Sequence, residues 1–561
     1  LGARLDRRAE PSRFEPIRAE ARVHEPLASH RILLQLRGRL GAAASVLALA
    51  VLAHAAQGAA AKVEVPRRPN FLVIVTDDQR HDVLGVVQRE QGERGRFPWM
   101  STPVLDRLAA EGARFRQAFV VNSLCSPSRA SILTGRYPHE VGVLDNRTPF
   151  PASATTFARR LADSGYRTAY VGKWHMGRQG GARPGFEFSA SYLGHGVYFD
   201  CPFEVNGVAT PTSGWVDDVS TAFAERFIRE HRNEPFLAVV GFKAGHHPYE
   251  PPERRRGEYK DVQPRPAPNL ASPAIYAGTK PARTPRAVRR EKEAGERETG
   301  PETAPETAPK SAPETAAETA PEGPNQGYFE TLSAADDAVG RLLALLDELE
   351  LTQDTLVLFT SDNGMYFGEH GLRDKRTAYE ESLRTPLVVR YPRRVAPGAV
   401  IDQLALNIDI APTLLDFAGL AAPAEFRGRS LRPLLELREG AAAPAPTWRD
   451  SFFYGYVAER GFAAPTVTAV RTARHKLVTY PGHPEWTELF DLRSDPYELR
   501  NLAGDDKLAE LRGELEKEHA RWIAELAFPV PKGTPEDGPE HAPKEEREEE
   551  PDDAEGENDG A

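Results

Sequence analysis

Four apolar runs in this chain each lead straight into residues that could do chemistry. Residues 70–76 end in Asp77-Asp78, and 168–171 end in Gly172-Lys173-Trp174-His175. Residues 236–240 lead to Lys243-Ala244-Gly245-His246, and 355–359 to Ser361-Asp362-Asn363-Gly364. One polar ending alone would be a turn or a helix cap. Four of them, with two carboxylate clusters, are more than turn-building requires. Asp77, Asp78, Asp362 and Asn363 are hard oxygen donors without a His or Cys cluster beside them, a set that suits Ca²⁺ or Mg²⁺ rather than zinc. Carboxylates brought together in this way repel strongly unless a cation neutralises them.

The elements that must position these residues are legible too. Each apolar run reads as a strand buried on both faces. Thr102-Pro103 opens a helix that stops at Gly112. A second helix, from about 333 to 349, sets Val339, Leu342, Leu346 and Leu349 along one face. Strand–helix alternation predicts an α/β sandwich with a mainly parallel sheet flanked by helices. In such sheets ligands bind beyond the carboxyl ends of the strands, so the four endings converge on one crevice. Past Thr447 the pattern changes to short strands, 452–457 and 475–480, and one helix, 506–526. That change predicts a small C-terminal α+β subdomain.

Only two cysteines occur in 561 residues, so no disulfide framework accounts for Cys125. Most free cysteines are small buried hydrophobes, and one that starts a helix reads as a low-pKa thiolate. A tyrosine-phosphatase loop is excluded, because the spacing from Cys125 to Arg129 is too short. The run Cys125-Ser126-Pro127-Ser128-Arg129, continued by Leu133-Thr134-Gly135, resembles the signature of type I sulfatases. So does Gly165-Tyr166-Arg167-Thr168-Ala169-Tyr170-Val171-Gly172-Lys173-Trp174-His175.

The resemblance runs from about residue 69 to 502 and implies an alkaline-phosphatase-like sandwich. It also implies that Cys125 is oxidised to formylglycine (3-oxoalanine) by a formylglycine-generating enzyme, and that Arg129 holds the product. Asp77, Asp78, Asp362 and Asn363, with the matured Cys125, match the ligands of a divalent metal, usually Ca²⁺ and alternatively Mg²⁺. Lys173 and Lys375 match the sulfate-binding lysines. His175 matches the imidazole paired with the nucleophile, and His246 the one facing the leaving group, with His247 a competing assignment. Gly245 departs from the Pro or Val more usual in relatives. The chemistry fits these residue types. A sulfate ester must have its oxygens clamped by cations before sulfur is attacked. An acid must protonate the departing alcohol, and a base must then expel sulfate from the remaining hydroxyl.

Residues 194–200 and 368–379 look similar to sulfatases that act on N-acetylglucosamine-6-sulfate in glycosaminoglycans. On that likeness His195, Tyr198, Asp200, Arg373 and Asp374 are candidate sugar contacts, and a sulfated carbohydrate is the expected substrate. The alternatives are a phosphonate or phosphodiester hydrolase of the same superfamily, or a non-catalytic binder of sulfated glycans. Cys201 reads as an incidental thiol, and Asn146-Arg147-Thr148 is a glycosylation sequon by sequence.

The net charge is −11, yet residues 535–561 alone carry thirteen acids against two bases. The folded middle is therefore only mildly acidic, and no basic stripe supports nucleic-acid binding. The first 61 residues are an arginine-rich extension with an Ala-rich apolar run, 40–56, and a signal-peptidase-like site at 57–61. Export to the periplasm or medium is expected, without a stable membrane span. The catalytic domain is then 62–446, interrupted by a disordered Pro/Ala/Glu/Thr insertion at about 263–323. The C-terminal subdomain is 447–533, and 534–561 is an acidic disordered tail.

Overall fold

The computed structural model describes residues 68–277, 325–437, 447–459 and 461–530. The signal-like extension, the greater part of the insertion and the acidic tail lie outside the described residues. Residues 263–277, which composition assigns to the insertion, are instead packed. Ala267, Asn269, Ala274 and Tyr276 are buried there. The boundary at 263 is therefore too early, because the few apolar side chains of this Pro-rich stretch are enough to pack it.

Ten strands form the main sheet among the described residues. Their spatial order is Ala399–Ile401, Ala113–Phe115, Leu387–Arg390, Thr355–Ser361, Asn70–Thr76, Phe236–Gly241, Arg167–Lys173, Phe188–Tyr192, Phe203–Val205 and Val208–Thr210. The four strands expected to carry the chemistry are consecutive at the centre and mutually parallel. Val73 pairs with Val239 on one side and Leu358 on the other, and Thr76 pairs with Ser361. Parallel pairing in this register puts all four carboxyl ends on one edge.

Successive strand residues point to opposite faces, and the core divides accordingly. Leu72 and Ile74 pack with Val339, Leu342 and Leu346 of the helix Gln326–Glu348. Phe71, Val73 and Val75 pack with Ile132, Leu161 and Leu414 of the helices Cys125–Thr134, Phe157–Asp163 and Ile410–Phe417. The long helix starts seven residues before the expected Ser333, because Asn325 caps it by accepting from the Gly327 N–H at 2.8 Å.

The helix Pro103–Glu111 lacks a side-chain cap at Thr102. Buried Asp336 takes that role from the neighbouring helix, accepting the N–H groups of Val104 (3.0 Å) and Leu105 (2.9 Å). Asp336→Ala leaves both donors without a partner. Stability is expected to fall by about 2 kcal/mol, read as a lower urea midpoint, with turnover at 25 °C retained.

The C-terminal subdomain is a four-stranded antiparallel sheet, Ser451–Tyr456, Val467–Thr472, His475–Thr479 and Glu488–Asp491, covered by the helix Ala509–Leu526. It joins the catalytic layer just ahead of Cys125. The Gly455 N–H donates to the Val121 carbonyl (3.1 Å), and Asn122 Nδ2 donates to the Gly455 carbonyl (2.8 Å).

Candidate active site

At the carboxyl edge the four strand endings meet the start of the Cys125–Thr134 helix. That helix is buried along its whole length and ends at Gly135 in the left-handed conformation. Its first turn is held from outside. Asn146 Oδ1 accepts the Ser126 N–H at 3.0 Å, so the Asn146 of the sequon is occupied in fixing the position of Cys125. The Cys125 sulfur lies 3.5 Å from Asp77 Oδ1 and 3.1 Å from Lys375 Nζ. Burial pushes this thiol well above its ordinary range despite the nearby Lys375. The helix-start expectation of a thiolate is thus overturned, since desolvation outweighs the lysine and the helix end.

One helical turn later Arg129 crosses under the site. Its Nε donates to Asp362 Oδ2 at 2.8 Å and its Nη1 to the Lys173 carbonyl at 2.9 Å. Lys173 forms an ion pair with Asp77, and Lys375 one with Asp78. Asn363 Nδ2 donates to Asp78 Oδ1 at 2.6 Å, and the Asp78 N–H to Asp362 Oδ1 at 3.1 Å. Burial lifts the Asp77 carboxyl, but Lys173, Arg129 and Lys375 outweigh it and hold it well below the usual range. Burial raises Asp78 against Lys375, and burial with Asp77 pushes Asp362 to about 7.

This donor set fits a hard divalent cation on its own chemistry. Three buried carboxylates converge, and the buried Asn363 Oδ1 finds no hydrogen-bond partner among the described residues. A carbonyl oxygen left in this way is a ready cation ligand. The backbone is also forced here. Asp78 (φ 56°) and His175 (φ 47°) both adopt the left-handed conformation, which non-glycine residues accept only where the surroundings hold them.

Three imidazoles line the other wall. The His195 ring lies between His175 (3.8 Å between centroids) and His246 (4.2 Å), and its Nδ1 is 3.1 Å from Lys173 Nζ. Burial holds all three well below 6.5, aided at His175 and His246 by Lys173 and at His195 by the flanking histidines. They are neutral at pH 7. His246 Nδ1 donates to the His247 carbonyl at 2.5 Å, which leaves Nε2 bare and 4.0 Å from Asp78 Oδ2. His247 is exposed, so His246 is the one of the pair set into the site.

A buried carboxylate cluster able to hold a cation, a buried cysteine, two lysines and neutral imidazoles at one sheet edge match a known family. The sulfatase family model matches residues 69–420. The chain belongs to the sulfatase family. A second model, N-sulphoglucosamine sulphohydrolase C-terminal, matches 368–525. This sulfatase is 30% identical over 493 residues to an N-acetylglucosamine-6-O-sulfatase of Bacteroides thetaiotaomicron, covering 81% of this chain and 86% of the relative. It is 28% identical over 494 residues to an arylsulfatase of Clostridium perfringens, covering 79% and 92%. A solved structure of a protein in complex with its substrate D-glucosamine-2-N,6-O-disulfate superposes with a TM-score of 0.67 at 27% identity, covering 82% of this chain and 98% of that one. The sulfatase is accordingly a sulfuric ester hydrolase with the alkaline-phosphatase-like fold and a C-terminal subdomain.

The five candidate sugar contacts separate by position. His195 is in the imidazole wall. Tyr198 is fully buried, and its hydroxyl donates to the His246 carbonyl (2.6 Å) and sits 3.2 Å from the Lys243 carbonyl. It braces the His246 turn rather than facing a sugar. Asp200 closes a surface turn, accepting from the Ser213 hydroxyl (3.0 Å) and the Gly214 N–H (2.8 Å). Arg373 and Asp374 form the short strand beside Lys375, where Asp374 pairs with Arg376. Gly245 has a physical reason in this sulfatase. It sits at φ 98°, and a Cβ there would come within 2.0 Å of the Asp77 carbonyl.

Sequence reading gave Lys243 no role, although it opens the same strand ending as His246. Its ammonium is buried 4.8 Å from the Tyr198 ring centroid and has no hydrogen-bond partner among the described residues. Burial, then Lys173, lowers it to about 8. Between about 8 and 10.5 the unfolded chain holds the extra proton, so this group makes stability rise with pH across that window. Lys243→Met is expected to stabilise the sulfatase at pH 7 by about 3 kcal/mol. The gain should vanish by pH 10.5, which paired urea titrations of the two proteins would check.

Proposed function

We propose that this sulfatase removes 6-O-sulfate from N-acetylglucosamine units of sulfated glycans, using formylglycine made from Cys125. The observation that carries the maturation is the place of Cys125 itself. It is fully buried at the centre of the site, 3.5 Å from Asp77 Oδ1 and 3.1 Å from Lys375 Nζ, where burial disfavours the thiolate that a cysteine nucleophile needs. The matured side chain, as its hydrate, would supply the attacking oxygen, and a cation held by the carboxylates would supply charge stabilisation to the sulfate oxygens. A formylglycine-generating enzyme is therefore a partner during maturation, and Ca²⁺ or Mg²⁺ the resident ion.

The remaining work falls to side chains already in place. Asp77, Asp78, Asp362 and Asn363 would hold the cation, and Arg129 orients Asp362 and the Lys173 backbone. Lys173 and Lys375 exchange their carboxylate partners for sulfate oxygens. His246 presents Nε2 to the leaving oxygen, and His175 holds a proton at the nucleophile side.

The sugar assignment is supported by the relative that is an N-acetylglucosamine-6-O-sulfatase and by the neighbour bound to a 6-O-sulfated glucosamine. The test is a panel of N-acetylglucosamine 6-sulfate, its 3-sulfate isomer and a bis-aryl phosphodiester, assayed with fully matured protein. The 6-sulfate should exceed the others in kcat/KM by about two orders of magnitude, the discrimination a site built around a positioned group achieves. Equal rates on the isomers would remove the regiochemical assignment, and a faster phosphodiester would replace it with the phosphodiesterase reading.

A further inference from the structure

Away from the catalytic edge, one buried cluster gathers three carboxylates beside an imidazole. Glu380, Glu381 and Glu498 are each less than a tenth exposed. Arg471 pairs with Glu380 at 3.2 Å, and Lys476 with Glu380 at 3.2 Å and Glu498 at 2.5 Å. Glu381 has no cationic side chain at ion-pair distance among the described residues. Its Oε1 accepts from Asn269 Nδ2 at 2.8 Å, while its buried Oε2 finds no partner among them. Asn269 is fully buried and its Oδ1 is equally without a partner. The Arg80 and Arg96 guanidinium groups attract Glu381 only from beyond ion-pair distance.

His370 adds a nitrogen donor at the same place. Its ring is buried against Tyr379, 3.9 Å between centroids, and its Nδ1 lies 3.2 Å from the Ser272 carbonyl. Nδ1 therefore carries the proton and Nε2 offers its lone pair. Metal-ligating histidines are commonly held in this arrangement. Nε2 and one carboxylate oxygen each from Glu381 and Glu498 lie within 4.8 Å of one another. Asn269 Nδ2 is 3.0 Å from that Nε2. A half-turn of the amide exchanges this nitrogen for the unpartnered oxygen.

We propose that Asn269, His370, Glu381 and Glu498 form a second divalent-cation site, distinct from the catalytic one. Imidazole mixed with carboxylate and amide oxygen selects Zn²⁺ or Mn²⁺ over the Ca²⁺ favoured by the all-oxygen catalytic set. The location gives the ion a task. His370 and Glu381 flank Lys375 in the chain, and Glu498 belongs to the C-terminal subdomain. The ion clamps both ends of the Lys375 segment to that subdomain. The segment needs holding, because His370 (φ 55°), Asp374 (φ 74°) and Arg376 (φ 90°) all sit in the left-handed region.

The competing neutraliser is a proton on Glu498, which burial pushes to about 8. Elemental analysis separates the two. Full-length protein, saturated with Ca²⁺, supplied with Zn²⁺ and Mn²⁺ and then dialysed, should hold two metal equivalents per chain, one of them Zn²⁺ or Mn²⁺. A double variant, His370→Gln with Glu381→Gln, should lose that transition-metal equivalent and keep the Ca²⁺. Wild-type protein saturated with Ca²⁺ and loaded with Co²⁺ gives a measurement that needs no variant, a visible ligand-field spectrum with nitrogen among its donors. A single equivalent in wild type, a second equivalent that survives in the double variant, or a colourless Co²⁺-treated protein would each overturn the site.

Discussion

Cys125→Ala is expected to reduce sulfate-ester turnover by on the order of 10⁴-fold or more, the scale on which removal of a nucleophile acts. The fold should survive, because Cys125 is a small buried side chain at a helix start and alanine fills most of its volume. Cys125→Ser is the more discriminating variant. Its hydroxyl occupies the same position beside Lys375 and Asp77, but as a simple alcohol. Attack by that hydroxyl leaves a serine sulfate, which only an external water can cleave. One equivalent of alcohol per site should then appear, followed by near silence, a burst readable by quenched-flow product counting. Peptide mass spectrometry across Cys125 in active wild-type protein closes the argument. An aldehyde there supports the maturation, and an intact thiol in protein of full activity rules it out.

Much of this site was legible because strand burial and strand endings are both local patterns. Runs such as residues 71–75 are apolar throughout since both faces of the central sheet are covered, and parallel pairing then forces their endings together. The convergence of Asp77, Lys173, His246 and Asp362 needs only that rule. What was not legible depends on desolvation or on contacts far apart in the chain. The rise in the Cys125 thiol's pKa follows from its burial, which a motif does not show. Tyr198 looks in sequence like a loop residue able to touch a sugar. Only the fold reveals that its hydroxyl is spent on the His246 carbonyl. Asn146 reads as a sequon because its partner, the Ser126 N–H, is twenty residues away. The Glu381–Glu498 contact joins two subdomains through no shared motif. The packing of residues 263–277 was hidden for a different reason. Composition averages over a window, and Asn269 and Tyr276 anchor a stretch whose average is that of a linker.

His246→Ala should divide substrates by leaving group. A sugar hydroxyl departs poorly as an alkoxide and needs a proton as its bond to sulfur breaks, whereas a nitrophenolate leaves without one. General-acid assistance of this kind is worth roughly 10²–10⁴-fold. The variant should therefore lose on the order of 10³-fold in kcat on a sugar 6-sulfate and about tenfold or less on 4-nitrophenyl sulfate. The geometry explains why this imidazole can serve. Its Nδ1–H is fixed on the His247 carbonyl, so of its two nitrogens only Nε2 can accept and return a proton in the site. Burial, Lys173 and Lys243 keep it neutral in the free protein. On the proposed mechanism an arriving sulfate would draw Lys173 and Lys375 onto its own oxygens and place negative charge beside the ring, which favours the charged imidazolium. Protonation would then be coupled to substrate binding, with the acid forming where it is used. Equal losses on both substrates would reassign His246 to sulfate binding. Loss confined to the sugar ester identifies the group that hands the leaving oxygen its proton.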